Sequence, residues 1–293
     1  MDLSLLPMLM AASVGALYAT FDLLRKRLTL SMPPAALLVW LALAQVPLFV
    51  AMVAGGEGFA IGPGYWAPGL ASIALNIVAN VAFLRALEIA SLGVTVPLLS
   101  LTPVFATLLS IQLLGELPSA VQMAGIVIAV VGAFALNFDP GEGATPAGVW
   151  RSLVREKGSL LMILVALCWS VTPAFDKLAV GASGVYTHGT LLNAGVGLGA
   201  LAWLLVRGEA GTLRPRHFVG GTVAASAVVG FAALVLLLKA YGLAWVGVVE
   251  TIRRAVNSAL ALVFGRWLFG ETIRPAQIVA VVLMSLGVAL VFF

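Results

Sequence analysis

Glu250, Arg253 and Arg254 fall within five positions of one another inside the apolar stretch VVETIRRAVNSALALVF, residues 248–264. A charge at the centre of a bilayer costs about 2.5–3.5 kcal/mol on insertion scales, so ionisable groups there default to function. At helical spacing Glu250, Arg253, Arg254, Asn257, Ser258 and Ala261 share one face, while Ile252, Val256, Leu260 and Val263 take the other side. Glu250 can pair with either arginine along the helix, which leaves one guanidinium over. A guanidinium fork binds two oxygens at once and suits a carboxylate or a phosphate. The stripe reads as a site for an anionic group, or for a zwitterion whose ammonium meets Glu250. The competing reading is an interhelical ion pair, with Asp22 or Asp176 as acid, that merely locks this helix. Buried pairs stabilise poorly because desolvation can exceed the Coulomb gain.

Other polar positions offer walls for such a site. Ser72, Asn76, Asn80 and Phe83 form a second stripe at i, i+4, i+8 and i+11, readable as interhelical amide bonding or as a cavity lining. Tyr18 shares a face with Asp22 and Arg25, and Trp169 with Thr172 and Asp176, with Pro173 between them. Tyr18 and Trp169 are candidate aromatic surfaces for substrate, with ordinary aromatic packing as the alternative. Asp22 and Asp176, each beside a basic residue, are gating or coupling candidates. Pro97 and Pro103 can free carbonyls and bend their helix, which makes them hinge candidates. His188 reads as an interfacial histidine rather than a proton switch. Gly195, Gly197 and Gly199 read as close helix packing. Cys168 stands alone and reads as a small buried hydrophobe. No paired carboxylates, metal-ligand cluster or activated nucleophile appears at useful spacing, so no catalytic residue, metal or cofactor is expected. The absence of a G-x-x-x-x-G-K-[ST] loop gives no support for ATP-driven pumping by this chain alone.

The elements that hold these residues are membrane spans. The chain has 293 residues, 62% of them hydrophobic and 10% charged, with a mean hydropathy of +1.12. A soluble domain of this size is about a quarter charged. About 20 apolar residues cross the hydrocarbon core. Segments of that length recur near 3–24, 34–54, 66–89, 92–114, 118–138, 158–180, 185–207, 217–241, 245–268 and 274–293. At 1.5 Å per residue, Arg254 lies about 13 Å into the ninth span. Trp66, Trp150, Trp245 and Trp267 fall near span ends, as interface anchors do. The N-terminal stretch has no basic residue before its apolar run, which predicts a retained first span rather than a cleaved leader. No soluble domain is expected before or after the spans.

Basic residues set an expected orientation. The odd-numbered loops hold Arg25, Lys26, Arg27, Arg85, Arg151, Arg155, Lys157, Arg207, Arg214, Arg216, Arg266 and Arg274, against Lys177 and Lys239 on the other side. The positive-inside rule places the odd loops in the cytoplasm and both termini outside the inner membrane. The net charge of +4 records this orientation and points to no nucleic acid.

The two halves of the chain match. FLRALEIASLGVTV at 83–96 lines up with LLKAYGLAWVGVVE at 237–250, an offset of 154 that also pairs Phe21-Asp22 with Phe175-Asp176. Glu116/Glu271 and Gln122/Gln277 pair at an offset of 155, so one residue is gained in the ninth span. Five spans per half force the second half to enter from the opposite face, giving an inverted repeat of the kind found in secondary transporters. The expected fold is an all-α integral membrane protein of ten helices in two inverted five-helix repeats. The repeats cover 1–138 and 158–293, joined by a cytoplasmic loop at 139–157 within one membrane domain. The counterparts of the charged stripe, around Thr95 to Pro103, are apolar, small or proline.

SLTPVFATLLSIQLLGE at 100–116 and SALALVFGRWLFGE at 258–271, each followed by a glycine-spaced fifth helix, resemble the EamA-like ten-helix branch of the drug/metabolite transporter superfamily. The resemblance spans essentially the whole chain. It implies a secondary carrier of small metabolites, and it implies termini inside where the charge count places them outside. The family's substrates range from amino acids to nucleotide sugars and drugs, so it fixes architecture better than substrate. The leading expectation is a transporter of small polar or amphipathic metabolites, amino-acid-like or organic anions, working by alternating access as a monomer. Glu250, Arg253, Arg254, Asn257 and Ser258 would bind substrate, with Asn76, Asn80, Tyr18 and Trp169 as walls. Its partners would be the lipid bilayer and an anionic or zwitterionic small molecule. One alternative is a flippase for a lipid or polyprenyl-phosphate headgroup. Another is a non-transporting sensor or assembly partner.

Overall fold

The computed structural model describes residues 5–89, 96–137, 157–214, 220–269 and 273–291. Among these residues the chain is helical and carries no strand. The ten α-helices among these described residues are α1 (Leu5–Leu28), α2 (Pro34–Met52), α3 (Trp66–Ile89), α4 (Thr102–Leu114), α5 (Ala120–Asn137), α6 (Lys157–Ser183), α7 (Val185–Val206), α8 (Gly220–Leu243), α9 (Val246–Phe269) and α10 (Pro275–Val291). Among the described residues, six helical segments are long and apolar enough to cross a membrane, from α1, α2, α3, α6, α7 and α8, and three shorter apolar helices come from α4, α5 and α10. Helix α9 is long enough but carries Glu250, Arg253 and Arg254, which lower its hydropathy. The composition and these segments make this an integral, multi-pass membrane protein.

Two compact units emerge, and neither is a sequence half. The first comprises residues 1–77 and 172–244, and the second comprises 78–171 and 245–293. Helices α3 and α6 are therefore shared between units. Within the first unit α1 packs on α8, and α2 packs on α7 and α8. Phe21, Leu28, Leu37, Leu41 and Leu204 form an apolar cluster within it. Close approach is secured by missing side chains: a Cβ on Gly197 would come within 2.5 Å of Leu43, and one on Gly195 within 2.5 Å of Ile73. The expected packing role of these glycines is met.

Within the second unit α4 packs on α9, and α5 packs on α10. Gly125 and Gly287 bring the α5 and α10 backbones together, since a Cβ on Gly125 would meet the Gly287 carbonyl oxygen at 2.6 Å. Ala133, Ala255, Ala280 and Met284 fill the space beside them. Small residues of this kind are how helices associate without a hydrophobic driving force.

The fourth apolar segment is not one α-helix. Residues Val96–Leu101 form a 3-10 helix that passes into α4 at Thr102. Proline explains the junction: Pro103 has no N–H to give the Leu99 carbonyl four residues back. At its far end α4 stops at Gly115, whose φ of 67° is the left-handed conformation that glycine adopts freely. The counterpart α9 has no such break and runs unbroken through Phe269. Gly93, Thr95, Gly270, Glu271 and the connecting residues 139–156 lie outside the described residues.

Candidate functional site

Helix α9 builds the second unit's charged site. Val246, Val248, Val249, Glu250, Thr251 and Ile252 are all at most 2% exposed, so this end of the helix is enclosed on every side. Helix α9 as a whole packs against α4, α5 and α10. Gly247 makes the closest approach, because a Cβ at that position would meet the Thr107 side chain, with Thr107 Cβ only 2.8 Å away.

Glu250 is 1% exposed and receives both Nε and Nη2 of Arg253, the Nε bond at 3.0 Å. The pair is bidentate, the geometry that makes guanidinium–carboxylate contacts strong. Arg253 keeps 18% of its side chain exposed while its partner is sealed in. Arg254 takes a different partner and donates from Nη2 to the Leu99 carbonyl at 3.1 Å. That carbonyl is the one released by Pro103, and it also accepts the Thr102 hydroxyl at 2.7 Å. The helix break of one segment thus feeds the guanidinium of another. Asn257 and Ser258 continue the stripe, half-buried.

A second carboxylate holds the start of this helix. Glu116 follows Gly115 at the corner after α4, and its Oε2 accepts the Val246 N–H at 2.7 Å. The first N–H groups of a helix have no intrahelical partner, and a carboxylate there also meets the positive end of the dipole. The L-L-G-E corner thereby has a physical account. Glycine makes the left-handed turn, and glutamate caps a helix 130 residues away.

The remaining candidates divide between the units. In the second, Trp169 packs on Phe83 with ring centroids 5.6 Å apart, and Asn80 is half-buried. In the first, Asn76 donates to the Ser72 carbonyl of its own helix at 3.0 Å. Tyr18 meets Phe21 edge-on at 6.4 Å. Asp22 is 52% exposed and pairs with Arg25 at 3.3 Å. Neither Asp22 nor Asp176 is the acid beside Arg253; that place belongs to Glu250. Pro97 lies within the 3-10 turn and Pro103 at the start of α4.

Asp176 departs most from its repeat counterpart. It is 6% exposed, and its Oδ1 accepts the Ser72 hydroxyl and lies 3.0 Å from His188 Nε2. The other ring nitrogen, Nδ1, lies 3.2 Å from the Tyr65 hydroxyl. Burial first, and the Asp176 carboxylate second, push the Tyr65 hydroxyl up to about 12, so it stays protonated and donates at neutral pH. His188 then accepts on Nδ1 and donates from Nε2, the tautomer that the two partners dictate. His188, near the start of α7, is fully buried within the protein. The reason is the α6–α7 corner, where Gly184 at φ 80° folds the start of α7 back so that His188 meets Asp176. Tyr65 and His188 carried no signal beyond their types, and only the short spacing to Asp176 hinted at a contact.

The sequence model of the EamA-like transporter family matches twice, over residues 5–138 and 156–293. The chain belongs to the EamA-like transporter family. A solved protein, described as "Crystal structure of protein", superposes with a TM-score of 0.76 at 19% sequence identity. The match covers 97% of this chain and 96% of that one, and it shows the fold. No curated protein matches.

Proposed function

We propose that this EamA-like protein is a secondary transporter that moves small metabolites bearing a carboxylate or phosphate across the inner membrane by alternating access. The observation that carries this reading is the set of Glu250, Arg253 and Arg254 in the second unit, where one buried carboxylate stands against two guanidiniums. Arg253 turns its fork to Glu250 yet remains partly open, so an incoming anion can share or take that fork. Arg254 is positioned by a carbonyl at a helix discontinuity, and discontinuous helices are where secondary transporters place substrate. Asn257, Ser258 and Asn80 add neutral hydrogen-bonding groups, and the Phe83–Trp169 pair adds an apolar wall. The double family match and the packing of α2 on α7, α4 on α9 and α5 on α10 support two repeats, and the odd number of described α-helices in each matched region, five, supports their inversion.

Purified protein in liposomes, offered a panel of labelled amino acids, dicarboxylates, phosphorylated compounds and neutral amines, tests this. At least one anionic or zwitterionic compound is expected to cross. Arg253→Gln should lower its apparent affinity about 10- to 100-fold, the weight of a charge-assisted contact worth about 1.5–3 kcal/mol. Transport of neutral amines alone would overturn the anion assignment. Undiminished transport in Arg253→Gln would return the stripe to a purely structural role.

A further inference from the structure

The first unit holds a polar cluster for which the anion site has no use. Tyr65, Ser72, Asp176 and His188 are 1%, 0%, 6% and 0% exposed. In the tautomer fixed above, the cluster contains one carboxylate held by neutral donors. Of the nearby cations, Lys177 donates to the Ala244 carbonyl at 2.9 Å, and Lys239 stands over the Tyr186 ring at 5.6 Å. Across from Asp176, α3 presents Ser72 and the residue before α3 is Tyr65, while α7 presents His188. Glu250 pairs with Arg253 and Glu116 caps α9, while Asp176 is a buried carboxylate that faces a histidine.

We propose that His188 and Asp176 together form the proton-coupling site of this carrier. The inference rests on the transporter reading above. One proton from water changes the cluster from a net charge of −1 to zero, as an imidazolium 3.0 Å from a carboxylate or as a neutral acid beside a neutral ring. The proton belongs to the pair, since across 3.0 Å it can rest on the ring nitrogen or on the carboxylate. A buried net charge is costly and a buried neutral pair much less so, so proton uptake favours the closed cluster. By reciprocity, opening the cluster to water favours proton release.

The segment that closes it is defined. Gly62 donates its N–H to the Ala182 carbonyl at 2.8 Å, and three residues later Tyr65 delivers its hydroxyl to His188. A Cβ on Gly62 would come within 2.7 Å of that carbonyl, so the contact needs glycine. One backbone bond and one phenol therefore pin the approach to α3 over the carboxylate. Breaking both admits water to Asp176, which joins the protonation state to the position of this segment.

Proteoliposomes loaded at one pH and diluted into another test the site, with a transported compound from the panel as label. Wild-type protein should accumulate the compound under a pH gradient, and an added protonophore should abolish the accumulation. His188→Gln should lose gradient-driven accumulation at least tenfold while retaining exchange of labelled for unlabelled compound at equal pH. The retained exchange also shows that the variant is folded. Asp176→Asn is the second variant, with the same expectation. Accumulation in wild type that ignores the gradient, or gradient-driven accumulation surviving in both variants, overturns this inference and leaves the transporter reading intact. If no compound of the panel moves in wild type, the transporter reading falls and this inference with it.

Discussion

The two buried charged clusters solve the same problem in opposite ways. In the second unit, two guanidiniums exceed one carboxylate, and the surplus cation is met by a backbone carbonyl that Pro103 released. In the first, a single carboxylate is surrounded by side-chain donors from Ser72 and His188, with Tyr65 behind the ring. One cluster is cationic and partly open at Arg253, while the other is anionic and sealed. The repeat counterparts make the contrast instructive. Glu250 corresponds to Val96, and the buried Asp176 corresponds to Asp22, which is 52% exposed beside Arg25. Duplication has kept the helix plan and left each polar group to be satisfied by whatever its own surroundings supply.

The difference in charge balance sets the largest expected effect. Glu250→Gln strands two guanidiniums around a neutral amide in an enclosed segment, a change of the kind that costs about 3–5 kcal/mol. Asp176→Asn keeps an oxygen that can accept from Ser72 and His188, so the loss should be closer to the 1–3 kcal/mol of a weakened buried hydrogen-bonding group. Thermal unfolding of both variants in the same detergent, followed by circular dichroism, ranks them. A larger loss for Asp176→Asn would mean that the sealed cluster, not the charged stripe, holds the fold together.

Steric enclosure should show the next effect. Gly247 sits where the α4–α9 contact leaves no room for a methyl group, whereas Gly221 at the start of α8 has open space around its missing Cβ. Gly247→Ala should destabilise by about 1–3 kcal/mol through forced displacement of Thr107. Gly221→Ala should be neutral or slightly stabilising, because alanine is the better helix former. The same unfolding measurement compares them. Equal effects would deny that the charged end of α9 is held more tightly than the start of α8.

The helix plan was readable from the chain because apolar runs near twenty residues and glycine or charged breaks are strong, local signals. Helices α2, α3 and α7 begin at or next to the positions their patterns indicate. Local pattern also brought Glu250 and Arg253 together, since i and i+3 meet on any helix. It failed where the partner was remote and neutral. The link from Arg254 to Leu99 spans 155 positions and ends on a backbone oxygen, to which no side-chain type points. The partners of His188 were hidden for a related reason. A histidine three residues into an apolar helix shows no carboxylate partner until the preceding helix returns one to it. Glu116 was visible as a repeat match, yet its role as the cap of α9 needed the fold. Residues 246–252 hid their enclosure because an all-round buried helix and a lipid-facing one are both apolar.

The smallest effect on stability should carry the sharpest test of how the cationic cluster is arranged. Pro103→Ala restores an N–H that can bond the Leu99 carbonyl along the helix, in competition with Thr102 and Arg254. The added bond contributes about 0.5–1.5 kcal/mol. Loss of proline's restriction on the unfolded chain offsets about 0.4–1 kcal/mol. Unfolding should therefore shift little. Function should shift more, because Arg254 would meet a competitor for that carbonyl and its guanidinium would be repositioned toward ligand. In liposomes the apparent affinity for a transported anion should change several-fold, and the same substitution combined with Arg254→Gln should add nothing further. An unchanged affinity in Pro103→Ala would show that the proline break does not govern Arg254. The two clusters would then differ only in net charge, and not in whether backbone or side chain sets the reactive group.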